Sequence, residues 1–175
     1  MVKKPRAADP HPRSWGPANV LVATDFGEAA TAAFHHAREV ARAFGARLHV
    51  LHVTEDLNAT AAVGSVTGLD FTRRQMELEV EARDRLRAML DDELRSAGTE
   101  TVVMTSNRPA GAILKYAEDA NIDLIVLGTH GRHGFSEFFM GSVAQQVVRR
   151  AQCPVLTLRA SAATAASETA SSVGA

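Results

Sequence analysis

Apolar residues along this chain follow two patterns: short, mostly apolar runs, and longer stretches in which apolar positions recur every three or four residues. The short runs predict strands that are buried on both faces, because they leave no polar face to meet water. These runs are NVLVAT (19–24), RLHVLHV (47–53), ETVVMTS (100–106), IDLIVLG (122–128) and PVLTL (154–158). The pattern therefore predicts five β-strands.

The longer stretches predict helices with one apolar face each. The first helix ends at Gly45, a residue that suits a helix end, and its apolar face holds Ala30, Ala33, Phe34, Ala37, Val40, Ala41 and Phe44. A long, charged helix is predicted over 72–97, with an apolar stripe of Met76, Val80, Leu86, Met89, Leu90 and Leu94. Residues 54–71 show no clear period, so a loop is predicted there.

Two further helices complete the alternation. Pro109 suits the first turn of a helix whose inner face holds Ile113, Leu114, Ala117 and Ala120. A last helix is predicted over 142–151, with apolar residues Val143, Val147 and Val148. Five strands that alternate with four helices predict an α/β domain of three layers, in which helices cover both faces of a parallel sheet.

The two ends of the chain differ from this pattern. Residues 1–17 are rich in proline and lack periodicity, which predicts a flexible arm. Residues 160–175 are small and polar, so they cannot bury enough surface to offset chain entropy and are expected to be disordered. One domain over residues 18–159 is therefore predicted.

Composition and charge exclude several classes of function. The chain has 175 residues, 46% of them hydrophobic, and a formal net charge of −1, so no field of one sign is available to attract nucleic acid or a membrane surface. Its single cysteine, Cys153, excludes an intramolecular disulfide and a cysteine-rich zinc site. No apolar run is long enough to span a membrane, and the first residues lack a secretory signal pattern. A cytoplasmic protein without a resident metal is expected.

The sequence GTHGRHGFSEFFMGS, residues 128–142, is the strongest candidate for chemistry. Glycines at 128, 131 and 134 leave the backbone bare and allow its N–H groups to turn toward one point. Gly141 and Ser142 then open a helix whose positive end favours an anion, and Arg132 adds charge. We interpret the segment as a phosphate-binding loop, although a flexible surface connection is the alternative. Neither a P-loop nor a dinucleotide fingerprint is present.

Residues that follow the other strands are expected to share this edge. In open parallel sheets, ligands bind beyond the carboxyl ends of the strands, where strand order reverses. Asp25 follows the first strand, and both nucleotide contact and the N-cap of the first helix suit it equally well. Ser142 has the same two interpretations, as a phosphate ligand and as an N-cap.

The spacing Gly128-x2-Gly131-x9-Gly141-Ser142, with similar sequence over roughly 18–159, resembles the ATP-binding branch of the universal stress protein family. The resemblance implies a Rossmann-like fold that binds adenine nucleotide, with strand order 3-2-1-4-5. It places Asp25 near the nucleotide, the backbone of Val53 against adenine and Gly128 against ribose. It assigns the phosphates to Gly131, Gly141, Ser142 and the backbone of Val143.

The resemblance also implies a partner and a cofactor. Members of this family commonly form homodimers in which the last strand, Pro154–Leu158, pairs across the interface, and ATP with Mg2+ would be the ligand. The chain departs from the family pattern at Gly27, where serine is common, and at Asn107, where glycine is common. Gly27 removes a hydroxyl donor near Asp25.

No nucleophile–base pair is recognisable in the sequence, so binding is better supported than turnover. The preferred hypothesis is a regulatory nucleotide-binding dimer in stress response, with at most slow ATP hydrolysis and an unidentified protein partner. Two alternatives stay open: an interaction module of the same fold that works without nucleotide, and an ATP-using adenylating enzyme. The second alternative usually needs a Ser-Gly-Gly-rich loop after the first strand, where this chain reads ATDFGEAA.

Overall fold

The computed structural model describes residues 16–57, 59, 68–129 and 140–159. Ten elements follow one another in these parts of the chain, and their bounds are given in chain order. They are β1 (Asn19–Ala23), α1 (Glu28–Phe44), β2 (Arg47–Thr54), α2 (Gly68–Ala88), α3 (Asp92–Ser96), β3 (Glu100–Thr105), α4 (Pro109–Asp119), β4 (Leu124–Gly128), α5 (Ser142–Arg150) and β5 (Val155–Leu158).

The five strands form one parallel sheet in the order β3-β2-β1-β4-β5, which confirms the predicted fold class. Val22 of the central strand pairs with Val50 of β2 on one side and with Val126 of β4 on the other. All three valines are fully buried, as expected for strands with helices on both faces.

Two apolar cores lie on the two faces of the sheet. Helices α1 and α2, with the residues around α3, cover one face, and α4 and α5 cover the other. Alternate residues of one strand feed different cores: Val20 and Val22 of β1 face the first core, and Leu21 faces the second. The result is the predicted three-layer arrangement.

Helix α1 has the predicted inner face except at its last residue. Phe34 and the alanines of that face are buried, whereas Phe44 is 51% exposed. Gly45 ends the helix as predicted, in a left-handed conformation with φ of 62°. Phe44 packs beside Gly16, where a Cβ would come within 2.1 Å of its ring. The residues just before β1, rather than the core, thus cover this phenylalanine.

The predicted continuous helix over 72–97 is wrong in two respects. Helix α2 begins earlier, at Gly68, within the predicted loop, and it ends at Ala88. A separate short helix, α3, then starts at Asp92, because the Asp91 carboxylate accepts a hydrogen bond from the Leu94 amide at 3.0 Å and forms its N-cap. Arg38 of α1 holds the Asp91 carboxylate at 2.7 Å and also pairs with Glu93.

The apolar stripe predicted for the first half of α2 is also wrong. Met76 is 63% exposed and Val80 is 52% exposed, while Gln75 and Ala82 face inward. The Gln75 amide group reaches Thr105 at the end of β3, so polar contacts at the sheet edge set the rotation of the helix.

Helices α4 and α5 follow the prediction more closely. Ile113 and Ala117 of α4 and Val147 of α5 are buried, although Val148 is 44% exposed. Among the residues that the structure describes, no helix is long and apolar enough to cross a membrane.

Candidate functional site

The candidate site lies at the carboxyl edge of the sheet, where strand order reverses around β1. β1 and β4 are neighbours in the sheet, and the helices that follow them, α1 and α5, lie on opposite faces. A crevice forms at such a switch point, because the connections that follow adjacent strands diverge there. The turn after β1, the end of β2, the end of β4 and the start of α5 contribute to it.

The turn after β1 is held by two short-range hydrogen bonds. The Thr24 hydroxyl accepts from the Phe26 amide at 2.9 Å, and the Asp25 carboxylate accepts from the Gly27 amide at 2.9 Å. Phe26 between them has a positive φ of 63°. The bond from the Gly27 amide fixes one oxygen of the carboxylate at the end of β1.

The interpretation of Asp25 as the N-cap of the first helix is wrong. The N-cap of α1 is Gly27, which offers no side-chain hydrogen bond. A Cβ at position 27 would lie 3.0 Å from Asp25 Oδ1, so glycine leaves room for the carboxylate in this orientation.

The end of β2 presents its backbone to the same space. Leu51 O accepts from the Thr24 amide at 2.9 Å, on the β1 side of the strand, and Thr54 O accepts from the Ser106 amide at 2.9 Å, on the β3 side. Backbone groups of successive strand residues point to alternate sides, so those of Val53 point the same way as those of Leu51. The β1–β2 ladder ends at Leu51, so the backbone N–H and C=O groups of Val53 face the space beyond the end of β1.

A polar cluster closes the other side of β2. The Thr54 and Thr105 hydroxyls lie 3.0 Å apart, and the Thr105 hydroxyl donates to Glu79 at 2.9 Å. That hydrogen bond lowers the pKa of Glu79, with burial opposing it and Arg83 adding to it. Glu79 therefore carries a negative charge at neutral pH and fixes α2 against the end of β3.

Gly128 has a structural reason to lack a side chain. A Cβ at this position would lie 2.7 Å from the carbonyl carbon of Ala29 and 2.9 Å from its Cβ, so the first turn of α1 occupies that space. Close packing of α1 on β4 thus requires glycine at this position. A ribose contact to the Gly128 backbone stays a prediction.

The start of α5 is fixed to the end of β4. The Gly141 amide donates to Thr129 O at 2.5 Å, and the Thr129 amide donates to Leu158 O at 2.7 Å. These bonds bring the two ends of the glycine loop together and tie them to β5. The positions of Gly131 and Arg132 themselves fall outside the described residues.

The interpretation of Ser142 as an N-cap is wrong, because Gly141 is the N-cap of α5 and Ser142 is its first helical residue. Ser142 is exposed and Val143 is half-buried. The amides of the first helical turn have no partner within the helix, and α5 has no acidic residue there. The helix therefore presents donors and the positive end of its dipole to the crevice.

Of the eight residues predicted for the site, six lie in described parts of the chain, on the four segments that meet at this edge: Asp25, Val53, Gly128, Gly141, Ser142 and Val143. The sequence did not indicate the aromatic contact beside Asp25. The ring centroids of Phe26 and His52 lie 4.5 Å apart, and the Arg85 guanidinium carbon lies 3.9 Å from the centroid of the Phe26 ring. No local pattern links residues so far apart in the chain.

Comparisons with known proteins agree with this architecture. The model of the Universal stress protein family matches residues 18–159. A universal stress protein of Thermus aquaticus is 35% identical over 140 residues, which cover 80% of this chain and 97% of that protein.

Two solved structures extend the likeness to the fold. UspA from Lactobacillus plantarum has a TM-score of 0.69 at 28% identity and covers 83% of this chain and 100% of its own. A Methanocaldococcus jannaschii protein of the family has a TM-score of 0.68 at 25% identity and covers 81% of this chain and 94% of its own.

Proposed function

We propose that this chain, which belongs to the universal stress protein family, is a regulatory protein. It binds ATP with Mg2+ in the crevice at the carboxyl edge of the sheet. Adenine lies against the backbone of Val53, ribose lies near Gly128, and the phosphates meet the start of α5. Nucleotide occupancy alters the surface offered to a protein partner, and any hydrolysis is slow. The protein acts in the cytoplasm, in response to stress.

One arrangement supports this proposal: the end of β2, the first amides of α5 and the Asp25 carboxylate all lie at the carboxyl edge of the sheet, where strand order reverses. The amides at the start of α5 suit phosphate oxygens, because they combine N–H groups that have no partner within the helix with the helix dipole. The backbone of Val53 offers a donor and an acceptor to a base edge. The Asp25 carboxylate, held by the Gly27 amide, suits a ribose hydroxyl.

Two solved structures that share the fold of this chain contain bound nucleotides, which supports a nucleotide as the ligand. A universal stress protein in complex with cAMP has a TM-score of 0.52 at 24% identity, and the Archaeoglobus fulgidus protein in complex with dAMP has a TM-score of 0.53 at 22% identity. Both ligands are adenine nucleotides. Mg2+ would enter with ATP, bound to phosphate oxygens and water, since this ion is usually held by few protein ligands.

A homodimer through β5 is part of the proposal. β5 is the edge strand of the sheet formed by the described residues, and its Leu156 is 37% exposed, so within this part of the chain the strand offers backbone groups without a strand partner as well as apolar surface. Leu156→Lys is expected to give a monomer in analytical ultracentrifugation. A wild-type protein that sediments as a monomer would remove the dimer from the proposal.

Calorimetric titration with ATP, in the presence of Mg2+, tests the proposed ligand. Ser142→Pro removes one donor amide yet suits the first helical position, and Gly141 already has φ of −54° and ψ of 147°, which a following proline needs. Because this variant loses one charge-assisted hydrogen bond to phosphate, we expect it to bind ATP roughly ten- to a hundred-fold more weakly at an unchanged melting temperature. Ser142→Ala, which keeps the amide, is the matched control and should lose less than about ten-fold.

The outcomes separate the three hypotheses. A wild-type protein that gives no heat with millimolar ATP, ADP or AMP contradicts nucleotide binding and leaves the interaction module. Release of pyrophosphate from ATP upon addition of carboxylic acids would instead indicate the adenylating enzyme.

A further inference from the structure

Phe26 has an unusual backbone conformation for a large residue. Its φ of 63° lies in the left-handed region, which a residue with a Cβ occupies at roughly a five- to thirty-fold population penalty relative to its preferred region. Such strain persists only where the surroundings hold it, and it collects at functional sites. Phe26 directly follows Asp25, the one acidic residue predicted for the nucleotide site.

Phe26 packs against the core under α1 and α2, and three further contacts hold its conformation. Its amide donates to the Thr24 hydroxyl at 2.9 Å. Its ring contacts the His52 imidazole, with 4.5 Å between centroids and 39° between planes, and the Arg85 guanidinium carbon lies 3.9 Å from its centroid. We call the set of Phe26, His52 and Arg85 the Phe26 stack.

The stack joins three elements at the edge of the crevice. His52 lies on β2, directly before Val53, and its Nδ1–H donates to Thr24 O at 2.7 Å, which fixes the ring against the turn after β1. Arg85 lies in the last turn of α2. The cation and the ring attract each other, so α2 contributes to the conformation of a residue in the site.

The conformation of Phe26 determines where the next amide points. The Gly27 amide donates to Asp25 Oδ1 at 2.9 Å, and this bond is made with the backbone at Phe26 in the left-handed region. A change of Phe26 to its preferred region would direct the Gly27 amide away and release the carboxylate.

We propose that Phe26 is a positioning residue for nucleotide binding, which the Phe26 stack holds in a strained conformation so that Asp25 meets the nucleotide. This inference rests on the proposed function. It adds that affinity depends on the backbone state of Phe26, and that Arg85 on α2, outside the crevice-forming segments, contributes to it.

The pair Phe26→Ala and Phe26→Gly tests the inference. Both variants lose the ring, but only alanine keeps the Cβ that disfavours the left-handed region. Without the stack, the backbone of the alanine variant leaves the left-handed region at this position and ATP affinity falls roughly five- to thirty-fold, whereas the glycine variant accepts that region and stays within about three-fold of wild type. Phe26→Tyr keeps the ring and should bind as wild type. If the Phe26 ring only stabilised the fold, the alanine and glycine variants would both melt at a lower temperature, but their dissociation constants for ATP would be equal.

Two further arms locate the effect. In an Asp25→Ala background, the difference between alanine and glycine at position 26 should vanish, since the two residues act as one unit. Arg85→Met should weaken ATP binding about two- to five-fold, while Arg87→Met, which removes a solvent-exposed arginine of the same helix turn, should not change it.

The outcomes distinguish this inference from the proposed function. If the wild type binds ATP and the alanine and glycine variants bind equally, the positioning role is wrong and nucleotide binding stands. A difference that persists without Asp25 also overturns it. If the wild type binds no adenine nucleotide, both the proposed function and the inference fall.

Discussion

Gly128→Ala is predicted to destabilise the domain, because a single methyl group would meet the backbone of another element. The added Cβ would lie 2.7 Å from the carbonyl carbon of Ala29 and 2.9 Å from its oxygen. To restore ordinary contact, the start of α1 and the end of β4 must separate by about 0.7 Å. Both partners are backbone atoms of regular elements, so no side chain can rotate away.

The cost of this separation follows from known effects of overpacking. Forced backbone shifts cost about 1–3 kcal/mol, and the upper part of that range, about 2–3 kcal/mol, applies to a contact between two backbones. For a domain of this size, such a loss lowers the melting temperature by roughly 4–12 °C. Thermal unfolding followed by circular dichroism measures it.

Gly111→Ala is the matched control. Gly111 lies inside α4, and the nearest atom to its added Cβ is Arg108 Cβ at 3.8 Å, which is ordinary contact. Alanine is favoured over glycine in a helix by about 0.5–1 kcal/mol, so this variant should melt slightly above the wild type. A Gly128→Ala protein that melts at or above the wild-type temperature would refute the argument that α1 requires glycine there.

Three other predictions concern stability. Leu86→Ala should lower the free energy of unfolding by about 2–5 kcal/mol, because Leu86 is fully buried. Met76→Ala, at a position that is 63% exposed, should change it by less than about 0.5 kcal/mol, and urea unfolding measures both. Gly45→Ala should cost about 1 kcal/mol, since φ is 62° there and no atom lies near the added Cβ, so that backbone strain alone acts; an unchanged urea midpoint would contradict it. Burial lowers the pKa of His49, against the opposing effect of Glu100 and with a smaller lowering effect of Arg47, so the unfolded chain binds a proton more readily than the fold does. Stability from this residue is present above its ordinary pKa of about 6.5 and is lost as pH falls below that value; His49→Gln should melt with a smaller difference between pH 7.5 and 5.5 than the wild type, and an equal difference would exclude His49 as the cause.

The identity of every strand and of most helices could be predicted from the sequence, because periodicity is a local property. The strand IDLIVLG is apolar at nearly every position, and a parallel strand under two layers of helix requires that composition. Gly45 at the end of α1 has equally local chemistry, since the chain must turn left-handed there. The glycine spacing of the loop and the family resemblance directed attention to the carboxyl edge of the sheet, where six of the predicted site residues lie.

The contacts within the candidate site could not be predicted this way. Asp25 and Ser142 both suit an N-cap by type and place, yet glycines at 27 and 141 occupy those positions. A cap depends on where the backbone becomes helical, and one residue of shift changes the role of its neighbour. The sequence suggested that Gly128 leaves room for a ribose, which stays a prediction, whereas the space beside its Cα is filled by the first turn of α1.

The sequence by itself therefore determined the strands and most of the helices, because these depend on residues close together in the chain. Only the tertiary structure decided which face of α2 is buried, and that Phe26, His52 and Arg85 contact one another beside Asp25. Those outcomes depend on residues tens of positions apart, whose packing is selected by the shape of the assembled layers rather than by any local pattern.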